Sequence, residues 1–318
     1  MQFGHLLSLL ALSSSAAAIS SNVISAHTTR ELHGRQLPPL ADEVIQELSK
    51  KSPSEYQVFH NDPAVIRSVQ SDLDSPDPQR RAAALSGLQT RCTASHCMAL
   101  TFDDGPYQYH QNIQQQFTAA GMKPTFFVNG NNYGCIYDTP NVQSIRRSLV
   151  AGGQIASHTW SHPHLVGLTQ RQLEQQVDLV ETALMKTAGI VPAFFRPPYG
   201  ETNDTITQFL NSRGYVVVTW NFDTQDADGA TVDYSVNVIK GIKAPKHAIV
   251  LQHETVPTTS QQVVPQALKI VKQNGYSAAN VMTVADSFAL NPYKVKGSFS
   301  QRDSSWTCNN TPQPGVSY

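Results

Sequence analysis

The chain has 318 residues, enough for one large α/β domain with appendages or for two small domains. Its 23 lysines and arginines nearly balance 24 aspartates and glutamates, for a net charge of −1. That balance excludes the strongly basic surface that suits nucleic acid or an acidic membrane, and it fits an uncharged partner such as a sugar polymer.

The chain begins Met1-Gln-Phe-Gly-His-Leu-Leu-Ser-Leu-Leu-Ala-Leu12 and continues through small residues to Ala16-Ala-Ala18. An apolar core followed by an A-x-A site reads as a secretory signal peptide over 1–18, so a secreted protein, extracellular or in the cell wall, is expected. Residues 19–38 are polar and mixed and read as a linker or pro-segment. Residues 39–91 read as a helical N-terminal extension: apolar spacing predicts helices over 40–52 and 62–74, and Pro78 opens a third over 78–90. No later apolar run is long enough to span a membrane. The tail, 291–318, is polar, and a soluble monomer is expected. Cys92, Cys97, Cys135 and Cys308 fit an oxidising compartment and allow three pairings. Asn203-Asp-Thr and Asn309-Asn-Thr are glycosylation sequons, relevant if the chain is secreted.

From Cys97 onward the pattern alternates. Strands are predicted over 97–102, 124–129, 153–157, 193–196, 215–220, 247–252 and about 280–284. Helices are predicted near 110–121, 141–151, 169–188, 203–213, 232–242 and 261–274, several closed by a glycine: Gly121, Gly152, Gly189, Gly214 and Gly275. Repeated β-α alternation means a parallel sheet, and about seven such strands suggest a distorted or incomplete (β/α) barrel. No Gly-x-Gly-x-x-Gly or Gly-Lys-Ser/Thr loop follows the first strand, so a nucleotide fold has little support.

In such a barrel chemistry collects at the C-terminal ends of the strands. The first strand runs into Asp103-Asp104-Gly105-Pro106. Two adjacent buried carboxylates repel each other, and a metal ion would resolve the conflict by binding one and leaving the other free as a base. Alone, the pair reads better as a solvated turn. The third strand, however, runs into Ser157-His-Thr-Trp-Ser-His-Pro-His164. His158 and His162 are spaced i, i+4, on one face of a helical turn, and with one carboxylate they make a three-ligand metal site; His164, beyond Pro163, is a weaker candidate. Arg196-Pro-Pro-Tyr-Gly200 ends the fourth strand. If buried, Arg196 must pair with an acid, naturally Asp103, and the stiff Pro197-Pro198 loop would fix the direction of the Tyr199 N–H, a potential oxyanion donor. The fifth strand ends in Trp220-Asn-Phe-Asp-Thr-Gln-Asp-Ala-Asp228 and the sixth in Leu251-Gln-His-Glu254. A histidine leaving a buried strand beside an acidic loop is a plausible general acid.

Thr101-Phe-Asp-Asp-Gly-Pro, His158-Thr-Trp-Ser-His-Pro, Arg196-Pro-Pro-Tyr-Gly, Asp223-Thr-Gln-Asp and Leu251-Gln-His-Glu stand in the order of the five motifs of polysaccharide deacetylases. In these motifs the chain resembles that family (the NodB-homology domain, carbohydrate esterase family 4) over about 92–290. Phe126-Phe-Val-Asn-Gly-Asn-Asn-Tyr-Gly134 is most similar to fungal chitin deacetylases. The resemblance implies one divalent metal ion, usually zinc and sometimes cobalt, held by Asp104, His158 and His162. It implies Asp103 as the base and His253 as the acid. Arg196 would orient Asp103, Asp226 would support His253 or Arg196, and the Tyr199 N–H would face the oxyanion. Leu251 would line the acetyl pocket, with Tyr199 and Trp220 as further substrate contacts. Two departures stand out. Ala227 occupies a position that is often aromatic, and Asp286 or Ser287 stands where many fungal members have a cysteine, a place that Cys308 could fill.

The activity so implied is removal of N-acetyl groups from N-acetylglucosamine polymers, chiefly chitin or its oligomers. An O-deacetylase acting on acetylated xylan and a non-catalytic carbohydrate-binding protein are the alternatives. Two histidines and a carboxylate also suit Fe(II), but no oxygenase β-barrel pattern accompanies them.

Overall fold

A computed structural model describes residues 78–315. The signal peptide, the linker or pro-segment and the helices expected over 40–52 and 62–74 lie outside the described residues, as do residues 316–318.

The described chain opens with helix α1 (Pro78–Ala84) and strand β1 (Leu88–Gln89). The alternating part runs β2 (Met98–Gly105), α2 (His110–Ala120), β3 (Thr125–Val128), α3 (Thr139–Val150), β4 (Gln154–Ser157) and α4 (Gln170–Ala188). It continues through β5 (Ile190–Pro192), β6 (Phe194–Phe195), α5 (Asp204–Ser212), β7 (Val216–Val218), β8 (Phe222–Asp223), α6 (Val232–Lys240) and β9 (Ala248–His253). A π-turn at Thr259–Val263, α7 (Val264–Gln273), α8 (Val284–Phe288) and β10 (Tyr293–Lys296) complete it. Eight strands form one parallel sheet in the order β1-β7-β6-β4-β3-β2-β9-β8, with β5 and β10 paired antiparallel beside it. This curled, open sheet wrapped by helices is the distorted (β/α) barrel that the alternation predicts.

Strand β2 sits in the middle, between β3 and β9, and all eight of its residues are buried. Its side chains sort by the two-residue period of a strand. Met98, Leu100 and Phe102 face the helix layer and join the main core. Phe102 there meets Phe117 of α2 edge to face at 5.6 Å, and cutting either ring to alanine should cost about 3–5 kcal/mol. Ala99 faces the barrel interior with Phe127, Ala156, Phe194, Val218 and Ile249. Thr101 and Asp103 share that interior face, so the strand period itself aims Asp103 inward. Helix ends follow the sequence cues. Thr169 and Gln172 form a capping box at the start of α4, and the five expected glycines, Gly121, Gly152, Gly189, Gly214 and Gly275, all have φ between 69° and 90°.

Some expectations are corrected. The strand expected at about 280–284 is a single bridge, Met98 to Val281, followed by α8, which Thr283 caps by accepting the Asp286 N–H. The helix expected over 78–90 stops at Ala84, because Leu88 and Gln89 pair with Val217 and Val218 at the sheet edge. The segment after residue 290 is part of the fold: β10 pairs with β5, and Trp306 is buried against Tyr137, their rings 5.9 Å apart. The cysteines pair Cys92–Cys97 and Cys135–Cys308. Among the described residues no helix is long and apolar enough to cross a membrane.

Candidate active site at the strand ends

Parallel register brings the candidate residues to one end of the sheet. Asp103 lies opposite His253 across β2 and β9, and Thr101 opposite Leu251. His158 directly follows β4 and donates its backbone N–H to Val128 of β3. Arg196 follows β6 and donates its N–H to Ser157.

Asp104, His158 and His162 form the one His/Cys/Asp/Glu cluster of metal-site geometry among the described residues, with ligand atoms all within 4.8 Å of one another. Asp104 Oδ1 lies 3.2 Å from His162 Nε2 and 3.6 Å from His158 Nε2. Ligand atoms around a tetrahedral zinc at ordinary bond lengths are roughly 3.3 Å apart. Asp104 Oδ1 is buried and has no hydrogen-bond partner, a cost that a cation would remove. His158 Nδ1 donates to the Arg196 carbonyl at 2.7 Å, so its Nε2 lone pair faces the cluster. Burial pushes both histidines down to about 3, and for His162 the repulsion that a protonated His158 would exert adds to it, so both rings are neutral, as a ligand must be. Burial raises Asp104 to about 7; His253 opposes that rise and the Asp103 charge adds to it. The donor set therefore fits a divalent ion of the zinc type.

Asp103 lies beside the cluster, its Oδ2 3.7 Å from His158 Nε2, while Arg196 holds its other oxygen. The guanidinium is fully buried and donates from Nη1 to Asp103 Oδ1 at 2.8 Å and to Thr101 Oγ1 at 2.7 Å, and from Nη2 to the Thr219 carbonyl at 3.2 Å. It stacks 4.0 Å from the Phe127 ring centre. Burial raises the Asp103 carboxyl above the usual range while Arg196 pulls it down, which leaves an ionisable base stronger than an exposed carboxylate.

His253 stands on the other side. Its Nδ1 donates to Asp226 Oδ1 at 2.8 Å, and its backbone N–H donates to Asp226 Oδ2, also at 2.8 Å. Thr259 Oγ1 donates to the same Oδ2 at 2.5 Å. Burial alone would lower His253, but the Asp226 bond and charge, with Asp104 and Asp103 beyond, raise it to about 9. The strand ends thus bring together a carboxylate paired with an arginine, a histidine paired with a carboxylate and a three-ligand cluster, the kinds of group that hydrolysis of an amide or ester draws on.

Residues 90–218 match the family model described as polysaccharide deacetylase. A chitin deacetylase from Pestalotiopsis sp. is 35% identical over 226 residues, 70% of this chain and 75% of that one. The chain belongs to the polysaccharide deacetylase family. A peptidoglycan-N-acetylglucosamine deacetylase from Bacillus cereus is 32% identical over 66% of this chain and 73% of its own length. The solved chitin deacetylase from Colletotrichum lindemuthianum superposes with a TM-score of 0.62 at 27% identity, over 66% of this chain and 94% of that one.

As a member of the polysaccharide deacetylase family the chain is a hydrolase, and its remaining candidates can be placed against the cluster. Leu251 is 5% exposed on β9. Tyr199 sits at φ 59°; the residue is 54% exposed, and its ring lies 4.6 Å from that of His162. Trp220 is half-buried behind the site, 5.6 Å from the Arg196 guanidinium, and fills the space beside Gly200. His164 is outside the cluster: it stacks on Tyr199 at 4.0 Å and pairs with Glu201 at 2.7 Å. Ala227 is exposed on the acidic loop, and the sequon residues Asn203 and Asn309 are also exposed, Asn203 capping α5 by accepting the Ile206 N–H.

Several residues escaped the sequence reading. Glu254 is fully buried, accepts from His110 Nδ1 and from the Tyr107 N–H at 2.7 Å each, and ties the turn after Asp104 to β9. Thr259 anchors Asp226 from outside the quoted motifs, and Thr101, inside the first of them, anchors Arg196 through a hydroxyl to which no role was assigned. The signal for Glu254 was present in Gly105. A side chain there would bring Cβ to 1.8 Å from Glu254 Oε1, so the glycine makes room for a carboxylate as well as ending a strand.

Proposed function

We propose that the chain is a secreted, metal-dependent N-deacetylase that acts on N-acetylglucosamine polymers, chiefly chitin or its oligomers, and releases acetate. The observation that carries this reading is the β2–β9 register, which sets Asp103 against His253 with Asp104, His158 and His162 beside them. The names of the relatives, chitin and peptidoglycan deacetylases, support an N-acetylglucosamine substrate. Two disulfides fit an oxidising, extracellular setting.

An amide is a poor electrophile with a poor leaving group. A divalent ion, zinc or cobalt, held by Asp104, His158 and His162 supplies a polarising charge and lowers the pKa of water when bound. Asp103 takes the proton from the attacking water, and Arg196 keeps that carboxylate ionised and aimed. The Tyr199 backbone N–H faces the oxyanion, and Leu251 closes the pocket around the acetyl methyl. His253, cationic through Asp226, donates its proton to the leaving nitrogen, so the products are acetate and a free amine.

Acetate release from chitin oligomers, peptidoglycan and acetylated xylan, with and without chelator, tests the reading. Release from the N-acetylglucosamine substrates that stops on chelation and returns with zinc or cobalt is expected. Release from xylan alone would replace it with the O-deacetylase reading. A zinc-loaded protein that releases no acetate from any of the three would defeat it.

A further inference from the structure

Three backbone positions in the cluster segments have positive φ: Asp104 at 73°, Thr159 at 73° and His162 at 55°. Each such position costs on the order of 1–3 kcal/mol and persists only where its surroundings over-determine it. Asp104 comes from β2 and the histidines from the turn after β4. Something must hold these two strained segments in one spacing.

Asn129, the residue after β3, touches both. Its N–H donates to the Gly105 carbonyl at 2.6 Å, directly beyond Asp104. Its side-chain amide donates to the His158 carbonyl and, at 3.1 Å, to the Thr159 carbonyl. Asn132 Nδ2 donates to Asn129 Oδ1 at 3.1 Å, which turns the amide nitrogen toward the histidine turn. The next residues tighten the clamp. The Gly130 and Asn131 N–H groups both donate to the Trp160 carbonyl, at 3.0 and 2.7 Å, and Thr159 Oγ1 accepts the His162 N–H at 3.1 Å. Asn129 is 1% exposed, so water does not replace these bonds.

We propose that Asn129 is a positioning residue of the metal centre: it sets the spacing between Asp104 and the two histidines, and so the affinity for the ion. The proposal rests on the metal-dependent reading above. Without the amide, the His158 carbonyl loses its donor and the Thr159 carbonyl keeps only the longer bond from the Gly130 N–H at 3.3 Å, and the turn relaxes toward ordinary φ, drawing the imidazoles off Asp104.

The test measures zinc affinity by chelator competition in the full chain, well below each variant's melting temperature. Asn129→Leu keeps the size and removes both donors; Asn129→Ser keeps one. Gln154→Leu is the control. Gln154 is equally buried at the far end of β4, and its Oε1 accepts the Ala285 N–H at 2.9 Å, so its loss is purely structural. Expected is a 10–100-fold weaker zinc affinity in Asn129→Leu, a smaller loss in Asn129→Ser and none in Gln154→Leu. The visible spectrum of the cobalt-loaded protein should change in the Asn129 variants alone. Wild-type zinc affinity in Asn129→Leu, or an equal loss in Gln154→Leu, overturns the proposal. If Asn129→Leu does not fold, unchanged affinity in Asn129→Ser overturns it just as well. A wild-type chain that binds no zinc defeats the metal reading itself, and this proposal with it.

Discussion

Asp103 and His253 face each other across adjacent parallel strands, so the proposed proton acceptor and proton donor are fixed by the same backbone ladder. Their roles separate by environment. Asp103 is paired with a guanidinium and His253 with a carboxylate. Asp103→Asn keeps the shape, loses the base and spares the cluster. Turnover should fall roughly 10²–10⁴-fold with zinc affinity preserved. Acetate release and zinc titration on the same preparation check this; substantial activity in the variant would remove Asp103 from the mechanism.

The alkaline limit of activity should follow His253. A donor with a pKa raised to about 9 stays protonated through neutral pH and loses its proton as pH passes about 9. Asp226→Asn removes the main charge that raises it, so the alkaline limb of kcat/KM should move down by roughly a unit or more. Stability has the same sign. A histidine raised above its unfolded value stabilises fully below about 6.5, and the contribution fades as pH rises through about 9. Melting temperatures across that window should fall for the wild type and stay flatter for Asp226→Asn.

Arg196 should be costly to remove. Arg196→Gln leaves the buried Asp103 carboxylate without its partner, and breaking such a pair costs about 3–5 kcal/mol. The pull that holds the Asp103 pKa down also vanishes, so the acid limb of the activity profile should rise. Urea midpoints and the pH profile test the two effects separately. An unchanged acid limb would mean that Asp103 is not the titrating base.

The Cys135–Cys308 bridge closes a loop 173 residues long, for which chain entropy gives about 5 kcal/mol. Replacing both cysteines with serine should lower stability by about 2–5 kcal/mol, and replacing Cys92 and Cys97, only five apart, by less. Denaturant midpoints decide the order, and a reversed order would mean that the reduced chain already holds the C-terminal segment in place.

Strand ends carrying Asp103, Asp104, Arg196 and His253 are legible because a group that burial punishes follows a largely apolar run, and His158 and His162 because of their i, i+4 spacing at another strand end. The two-residue strands β1 and β8 were not legible, since two residues carry no period. Pairing of β10 with β5 depends on a neighbour about a hundred residues away, and the disulfide partners depend on the finished fold. Residues 280–284 show the limit of composition: Val281 bridges Met98, yet a threonine cap turns the following residues into a helix. In the sequence Asn129 is one residue of a family-like stretch at the end of a predicted strand. Its importance lies in which carbonyls come within reach of its amide, and no spacing along the chain reveals that.

The long bridge has one more consequence. Val166 and Gly167 sit on an exposed loop between Cys135 and Cys308, where a protease could enter. A cut there leaves two pieces that stay covalently joined, still interleaved in one sheet. On a non-reducing gel the nicked chain would keep its full mass, and only a reductant would let the halves part. A single nick there would then be a scar and not a loss.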